Sequence, residues 1–246
     1  EDTYIRPQVS GDPNVYYLSH FLNVHLPNKP VARALSLGCG GGNLERALIS
    51  LGAAQHIDAC DVSPESIRLA NELAAKEGLQ ERIHYEVRDI DTIQLPPKTY
   101  DFIIAKMSLH HFAQLEHVYS QIAASLKDGG VFVFNEFIGP SRFQWTDLQV
   151  ELMKEILSVL PEKNTLSSWN QQHIKQIDRP SVADMIAMDP SESVRSAEIM
   201  PVLRNYFEVI EYKPYGGTLI HMLLTHVMAT FDLDNPDQQA LLKMIF

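Results

Sequence analysis

Cysteine is scarce in this chain, whose 246 residues include only Cys39 and Cys60. Two cysteines cannot build the disulfide framework of a small secreted domain, so we interpret both as free thiols. The sequence also lacks cysteine, histidine and carboxylate residues grouped at metal-ligand spacing. That absence predicts that the protein holds no metal ion.

Positive charge is scarce as well. Lysine and arginine total 20 against 31 aspartate and glutamate residues, which gives a formal net charge of −11. Binding nucleic-acid phosphates takes clustered cations, so this balance argues against a nucleic-acid partner. No apolar run reaches the ~18 residues of a membrane span, and the stretch Glu1-Asp2-Thr3 lacks signal-peptide character. We therefore expect a soluble, cytoplasmic protein with no membrane partner.

Apolar residues, by contrast, make up 45% of the chain, which is enough to build a substantial core. The length suits a single domain over 1–246. Its most informative stretch is 34–44, where an apolar run enters a glycine-rich turn and a helical pattern follows. Such a turn brings backbone N–H groups close to a ligand, which can be a dinucleotide, a phosphate or an adenosyl cofactor.

Strand and helix patterns alternate after this turn. Apolar strand patterns end at Asp61 and Asp89, and further strands are predicted over 100–105 and 131–137. Helical spacing separates them, so we predict an α/β fold with a doubly wound, mostly parallel sheet. The runs 207–212 and 219–227 are separated by too few residues for a crossover helix, which predicts a terminal antiparallel hairpin.

Two segments lie outside this pattern. Residues 1–30 predict an N-terminal helical cover, on which Tyr16 and Tyr17 are candidates for contacting a substrate. Residues 140–195 predict a helical insertion or lid over the carboxyl edge of the sheet. Arg142 and Trp145 open this insertion, where they could hold an anionic group and stack on a ring.

Together these features resemble the class I S-adenosylmethionine-dependent methyltransferases, whose fold is Rossmann-like. The resemblance rests on the stretch 37–42, on the acids after the second and third strands, on the turn 126–130 and on the predicted terminal antiparallel hairpin. It covers about 31–137 and 205–227 and implies S-adenosyl-L-methionine as cofactor and S-adenosyl-L-homocysteine as product. Ser36 departs from the family pattern, which usually has an acid there.

The resemblance also implies a set of cofactor-binding residues. Asp61 would accept hydrogen bonds from the ribose hydroxyls, and Asp89 would face the adenine amino group with Ile90 beside the ring. The full implied set is Gly38, Cys39, Gly40, Gly42, Asn43, Asp61, Val62, Asp89, Ile90, Lys106 and Met107.

Catalysis of methyl transfer needs alignment of donor and acceptor and, for an oxygen acceptor, removal of a proton. His110, His111 and Glu136 follow the fourth and fifth strands and are the candidate catalytic residues. The stretch 105–108 lacks an Asn- or Asp-Pro-Pro-aromatic tetrapeptide, which argues against a nucleic-acid base as acceptor. We predict a small-molecule acceptor, such as an oxygen of a sugar or natural product.

Other functions stay open at this stage. A protein methyltransferase or a non-catalytic adenosylmethionine-binding module fits the same residues, and a homodimer is one oligomeric state to consider. An NAD-dependent oxidoreductase fits less well, because Asn43 stands where the dinucleotide fingerprint has glycine or alanine.

Overall fold

The computed structural model describes residues 4–217 and 219–245. Contacts divide the chain into two compact units. The sheet unit comprises 15–141 and 190–212, and the helical unit comprises the described residues of 1–14, 142–189 and 213–246. In chain order, the elements are α1 (Ile5–Ser10), α2 (Tyr17–Val24), β1 (Val31–Leu37), α3 (Asn43–Ser50), β2 (Ala54–Asp61), α4 (Pro64–Lys76), β3 (Ile83–Val87), β4 (Tyr100–Lys106), α5 (Leu115–Ser125), β5 (Leu126–Asn135), α6 (Asp147–Val159), α7 (Val182–Met188), α8 (Ile199–Leu203), α9 (Ile220–Val227) and α10 (Pro236–Ile245).

The sheet unit contains a five-stranded sheet in the order β3-β2-β1-β4-β5. Every pairing between these strands is parallel. The central strands are apolar on both faces, as helices on both sides of a parallel sheet require. Phe102, Ile103, Ile104 and Ala105 of β4, for example, are at most 2% exposed. These observations confirm the predicted doubly wound fold.

Each face of the sheet has its own core. Helices α2, α3 and α4 contribute to the cluster on one face, which includes Phe21, Leu48 and Ala70. Helices α5 and α8 contribute to the cluster on the other face, which includes Tyr119 and Ile199. This two-sided packing fixes the carboxyl ends of β1 and β4 side by side, and the strand order reverses between them.

The predicted terminal hairpin is wrong. Residues 207–217 have no regular secondary structure, and Ile210 and Tyr212 are 65% and 54% exposed. The second predicted strand, 219–227, contains helix α9 instead, with Leu223 and Val227 fully buried. Those two residues are four apart, so the apolar run fits a helical face as well as a strand.

Two element boundaries also differ from the sequence prediction. Strand β5 begins at Leu126 rather than 131, because the predicted turn pairs with β4 through a register shift between Tyr100 and Phe102. The N-terminal cover comprises two helices, α1 in the helical unit and α2 in the sheet unit. The described part of this cover, 4–30, is therefore divided between the two units, whereas the sequence predicts one segment.

The helical unit has a core of its own. Helix α6 begins with a capping box in which the Thr146 side chain accepts from the Gln149 backbone and Gln149 bonds back. Its Met153 and Leu157 pack with Leu223 and Val227 of α9. None of the helices in the described ranges is both long enough and apolar enough to cross a bilayer. The insertion predicted over 140–195 overlaps this unit, and its role as a lid stays a prediction.

Candidate active site

The turn after β1 lies at the point where the strand order reverses, which is where open α/β sheets bind ligands. Gly40 and Gly42 have φ values of +50° and +75°, a region that residues with side chains rarely adopt. A Cβ on Gly42 would lie 2.4 Å from the Tyr85 hydroxyl oxygen, whereas a Cβ on Gly40 would meet no atom within 4 Å. Gly42 is therefore required by packing, while Gly40 borders open space.

Asp61 ends β2 beside this turn. Its Oδ2 accepts from the Gly40 backbone N–H at 2.9 Å, and its Oδ1 accepts from the Ser63 N–H at 2.9 Å. Each carboxylate oxygen offers about two acceptor positions, so both retain capacity for a further donor. These remaining acceptor positions suit the O–H donors of the ribose hydroxyls of an adenosyl cofactor. The role of Asp61 toward the ribose stays a prediction.

A buried acid beneath the turn was missed by the sequence analysis. Glu45 lies in the first turn of α3 and is 0% exposed, and its Oε1 accepts from the Ser36 hydroxyl at 2.5 Å. Its Oε2 is buried and accepts no hydrogen bond from the described residues. Burial raises the pKa of Glu45, although the Ser36 hydrogen bond opposes the shift. The signal that could have revealed it is the absence of an acid at Ser36 together with an acid on the adjoining helix.

The other predicted cofactor residues line the same end of the sheet unit. Met107 follows β4 with φ +51° and is 47% exposed, and an unusual backbone conformation of this kind often marks a ligand site. Asp89 caps the short helix 90–92 by accepting from the Asp91 N–H, and Ile90 is 6% exposed. Lys106, Val62 and Asn43 are exposed.

The two cysteines are free and buried, as predicted. Burial raises the pKa of the Cys39 thiol well above its usual range and that of Cys60 to about 12. Because the thiolate is the reactive form, neither is suited to nucleophilic chemistry.

The candidate catalytic residues His110 and Glu136 contact each other directly. The Glu136 side chain is fully buried, and its Oε1 lies 2.5 Å from His110 Nδ1. Three backbone N–H groups also bind this carboxyl group: Ser108 and Leu109 donate to Oε2 and Phe137 donates to Oε1. Glu136 thus fixes the His110 ring through Nδ1, and the Nε2 atom points away from the Glu136 carboxyl group.

His111 lies beside this pair, with its ring centroid 4.2 Å from that of His110. Its Nδ1 is 2.9 Å from Ser191 Oγ, and His110 Nε2 is 3.7 Å from Glu192 Oε1. His110, His111 and Glu192 each offer a ligand atom within 4.8 Å of the other two, a spacing that a divalent cation can use. The sequence showed no such group because Glu192 is 81 residues from His111 in the chain.

The predicted substrate-binding residues are divided between the two units. Tyr16 and Tyr17 lie in the sheet unit, half-buried against the core, with ring centroids 4.5 Å apart. Arg142 and Trp145 lie in the helical unit. Arg142 donates to the Asp189 carbonyl at 3.4 Å, and Trp145 is 2% exposed and stacks on Phe143. Their substrate roles stay predictions.

Comparison with known proteins covers the part of the chain that holds the glycine turn, Asp61 and the two histidines. Residues 34–130 match the family described as "Methyltransferase domain". The chain is 28% identical over 134 residues to sterol 24-C-methyltransferase ERG6B of Gibberella zeae, an alignment that covers 54% of this chain and 34% of that protein. It is 35% identical over 100 residues to ubiquinone biosynthesis O-methyltransferase of Xylella fastidiosa, covering 40% and 39%.

A third relative is named for an O-demethylated rifamycin. The chain is 29% identical over 115 residues to 27-O-demethylrifamycin SV methyltransferase of Amycolatopsis mediterranei, covering 46% of this chain and 41% of that protein. The chain thus spans 34–41% of the length of these three relatives.

Proposed function

Because the chain carries a methyltransferase domain of the class I S-adenosylmethionine-dependent family, we propose that it transfers a methyl group from S-adenosyl-L-methionine to an oxygen of a small-molecule acceptor. The observation that carries the proposal is the turn after β1, where Gly40 borders open space and Asp61 binds its N–H. A carboxylate and a bare backbone at a strand-order reversal suit an adenosyl ligand better than a purely structural turn.

In this proposal, Asp61 accepts the ribose hydroxyls with the lone pairs that the backbone does not use. Asp89 and Ile90 recognise the adenine, and Met107 lines the cofactor side of the pocket. When bound, the cofactor supplies a methyl group already activated on a sulfonium sulfur. The protein therefore has to align the acceptor and accept the proton that the acceptor loses.

We assign removal of the acceptor's proton to His110. Because Glu136 holds Nδ1, a neutral His110 carries its hydrogen there and presents Nε2 as an acceptor. An acceptor hydroxyl positioned at Nε2 would give up its proton as the oxygen attacks the methyl carbon. Glu136 is a positioning residue in this scheme, since its oxygens already accept from three backbone N–H groups. His111 orients the acceptor from the adjacent position.

The small-molecule oxygen acceptor rests on two further points. A histidine–carboxylate pair is useful for a hydroxyl acceptor, whose proton must leave, and such a base typically contributes about 10²–10⁴-fold in rate. Two of the relatives carry an oxygen methylation in their names, whereas the sterol enzyme is named for a carbon. We therefore favour an oxygen of a polyketide-like or sugar-like molecule over a carbon or a protein side chain.

The test is release of S-adenosyl-L-homocysteine from the full chain incubated with the cofactor and a panel of phenols, sugars and polyketide-like alcohols. We expect turnover with at least one oxygen acceptor. His110→Ala should lower that rate about 10²–10⁴-fold while cofactor affinity stays within a few-fold. His56→Ala is the matched control, because His56 is exposed on β2 at a distance from these residues in the chain.

Other results would overturn parts of the proposal. Methylation of a protein or at a carbon atom would reject the proposed acceptor class. Binding of S-adenosyl-L-homocysteine without turnover of any acceptor would favour a non-catalytic module. A chelator should leave the rate unchanged. Activity that a chelator abolishes and zinc restores would assign His110, His111 and Glu192 to a metal ion and reject proton transfer to His110.

A further inference from the structure

Glu45 is a buried acid that the proposed reaction does not use. It lies at the third position of α3 and is 0% exposed. Ser36, itself 1% exposed, donates its hydroxyl hydrogen to Oε1 at 2.5 Å. Oε2 is equally buried, yet no donor among residues 4–217 and 219–245 reaches it. An acceptor buried in this way costs free energy unless something satisfies it.

Among the described residues, neither an N-cap hydrogen bond nor an ion pair offsets this cost. A glutamate at the third helical position often accepts from the N-cap backbone, but the Gly42 N–H donates to the Cys39 carbonyl instead. Arg46, the adjacent cation, directs its guanidinium to Glu77, the Gly41 carbonyl and Asn43. Glu45 therefore does not accept from the N-cap backbone, and it forms no ion pair within the described chain.

The location of Glu45 indicates what could satisfy it. Ser36 is the next-to-last residue of β1 and Glu45 the third of α3, so the two residues lie on either side of the turn 38–42 that we assign to the cofactor. The charge of Lys106, at the carboxyl end of β4, acts on the same carboxyl group and lowers its pKa against the larger effect of burial. The unsatisfied oxygen is therefore at the reversal point of the sheet and not in a remote part of the core.

We propose that Ser36 and Glu45 form a subsite for the primary ammonium group of the amino-acid part of the cofactor. An ammonium offers three N–H donors to an acceptor such as Oε2, whereas a sulfonium offers none. The inference rests on the proposed function, because it needs the adenosyl ligand to bind at this turn. It assigns the cation to an acid on α3, while the strand supplies only the hydroxyl that holds that acid in place.

Binding a cation here would also move a proton. Burial raises the pKa of Glu45, so the free protein holds a larger fraction of this group protonated than an exposed glutamate would. A bound ammonium stabilises the ionised form, and the proton leaves Oε1 or Oε2 for the solvent. Binding should therefore release protons to the buffer.

Calorimetry with three ligands tests the subsite. S-adenosyl-L-methionine carries both cations, S-adenosyl-L-homocysteine carries the ammonium alone, and 5′-methylthioadenosine carries neither. The variant Glu45→Gln keeps the acceptor for Ser36 and the shape of the side chain. We expect it to weaken the first two ligands equally, by about 10- to 100-fold, and to leave the third unchanged. Loss of affinity for S-adenosyl-L-methionine alone would assign Glu45 to the sulfonium and overturn the proposal.

Two control variants separate this inference from its premise. Asp61→Asn should weaken all three ligands, because all three carry the ribose. Glu77→Gln should weaken none, because the Glu77 side chain is half exposed and bonds only Arg46 in the described chain. If the wild-type protein binds none of the ligands, the proposed function fails. If it binds them and Glu45→Gln binds S-adenosyl-L-homocysteine equally well, the proposed function survives and the subsite is refuted.

Proton release supplies a readout that a merely structural role would not change. Titrations of S-adenosyl-L-homocysteine in two buffers with different ionisation enthalpies give the number of protons released. The wild-type protein should release a fraction of a proton that Glu45→Gln does not. Equal release by both proteins would contradict the proposal.

Discussion

Gly40 and Gly42 are two residues apart in the turn after β1, and alanine at each position should have a different consequence. Both have positive φ, and alanine in that region costs about 1–2 kcal/mol. At Gly42, the new methyl would lie 2.4 Å from Tyr85 Oη and 2.9 Å from Ala70 Cβ. Overpacking of that kind adds about 1–3 kcal/mol, and the lower entropy of the unfolded chain offsets about 0.4–1 kcal/mol, so Gly42→Ala should lower the free energy of unfolding by about 1–4.5 kcal/mol.

At Gly40, only the backbone cost applies, because no atom lies within 4 Å of the added methyl. The lower entropy of the unfolded chain again offsets about 0.4–1 kcal/mol, so Gly40→Ala should destabilise the protein by about 1.5 kcal/mol or less. The open space beside Gly40 is where we place the cofactor. We therefore expect Gly40→Ala to fold but to bind S-adenosyl-L-homocysteine at least about 10-fold more weakly.

Equilibrium urea unfolding and calorimetric titration measure the two effects separately. The wild-type protein and both variants should give the same m-value if unfolding stays two-state. The reasoning is refuted if Gly42→Ala is as stable as the wild-type protein. It is equally refuted if folded Gly40→Ala binds S-adenosyl-L-homocysteine with wild-type affinity.

Three further predictions follow from the same geometry. Glu136→Gln should lower the free energy of unfolding by about 2–4 kcal/mol in urea, because its amide N–H₂ would face backbone donors; wild-type stability would contradict the buried contacts. Folding raises the pKa of Glu45 above its ordinary value of 4.5, so wild-type stability should fall relative to Glu45→Gln as pH rises from that value. A difference in thermal stability between the wild-type protein and Glu45→Gln that does not change with pH would contradict the raised pKa. Proteases should cut free protein within about 161–180 and cut it more slowly once ligands are added; equal rates would indicate a fixed cover.

The sheet could be predicted from sequence because each strand carries a strong local signal. The apolar run of β4, the glycine turn after β1 and the serine cap at Ser63 with Pro64 after it each agree with the structure. Alternation of such signals leaves few topologies other than a doubly wound parallel sheet. Residues 219–227 gave no comparable signal, because their apolar run fits periods of 2 and 3.6 equally well.

The candidate site was predictable only in part. Positions next to strand ends, such as Asp61, His110 and Glu136, follow from topology, because parallel strands end at one edge. Glu192 could not be found in this way, since it enters the site from a loop far along the chain. Glu45 has an ordinary helical position in the sequence, and only its burial against Ser36 distinguishes it from a solvated surface acid.

The measurement that tests the account most directly is calorimetric titration of the full chain with S-adenosyl-L-homocysteine and, separately, with NAD. The glycine turn and Asp61 predict a dissociation constant in the micromolar range, of the order of 10⁻⁶–10⁻⁵ M, for S-adenosyl-L-homocysteine and no measurable binding of NAD. Asp61→Ala should weaken the former by removing two charge-assisted hydrogen bonds, each of about 1.5–3 kcal/mol before water compensates. Tighter binding of NAD than of S-adenosyl-L-homocysteine would contradict the central claim.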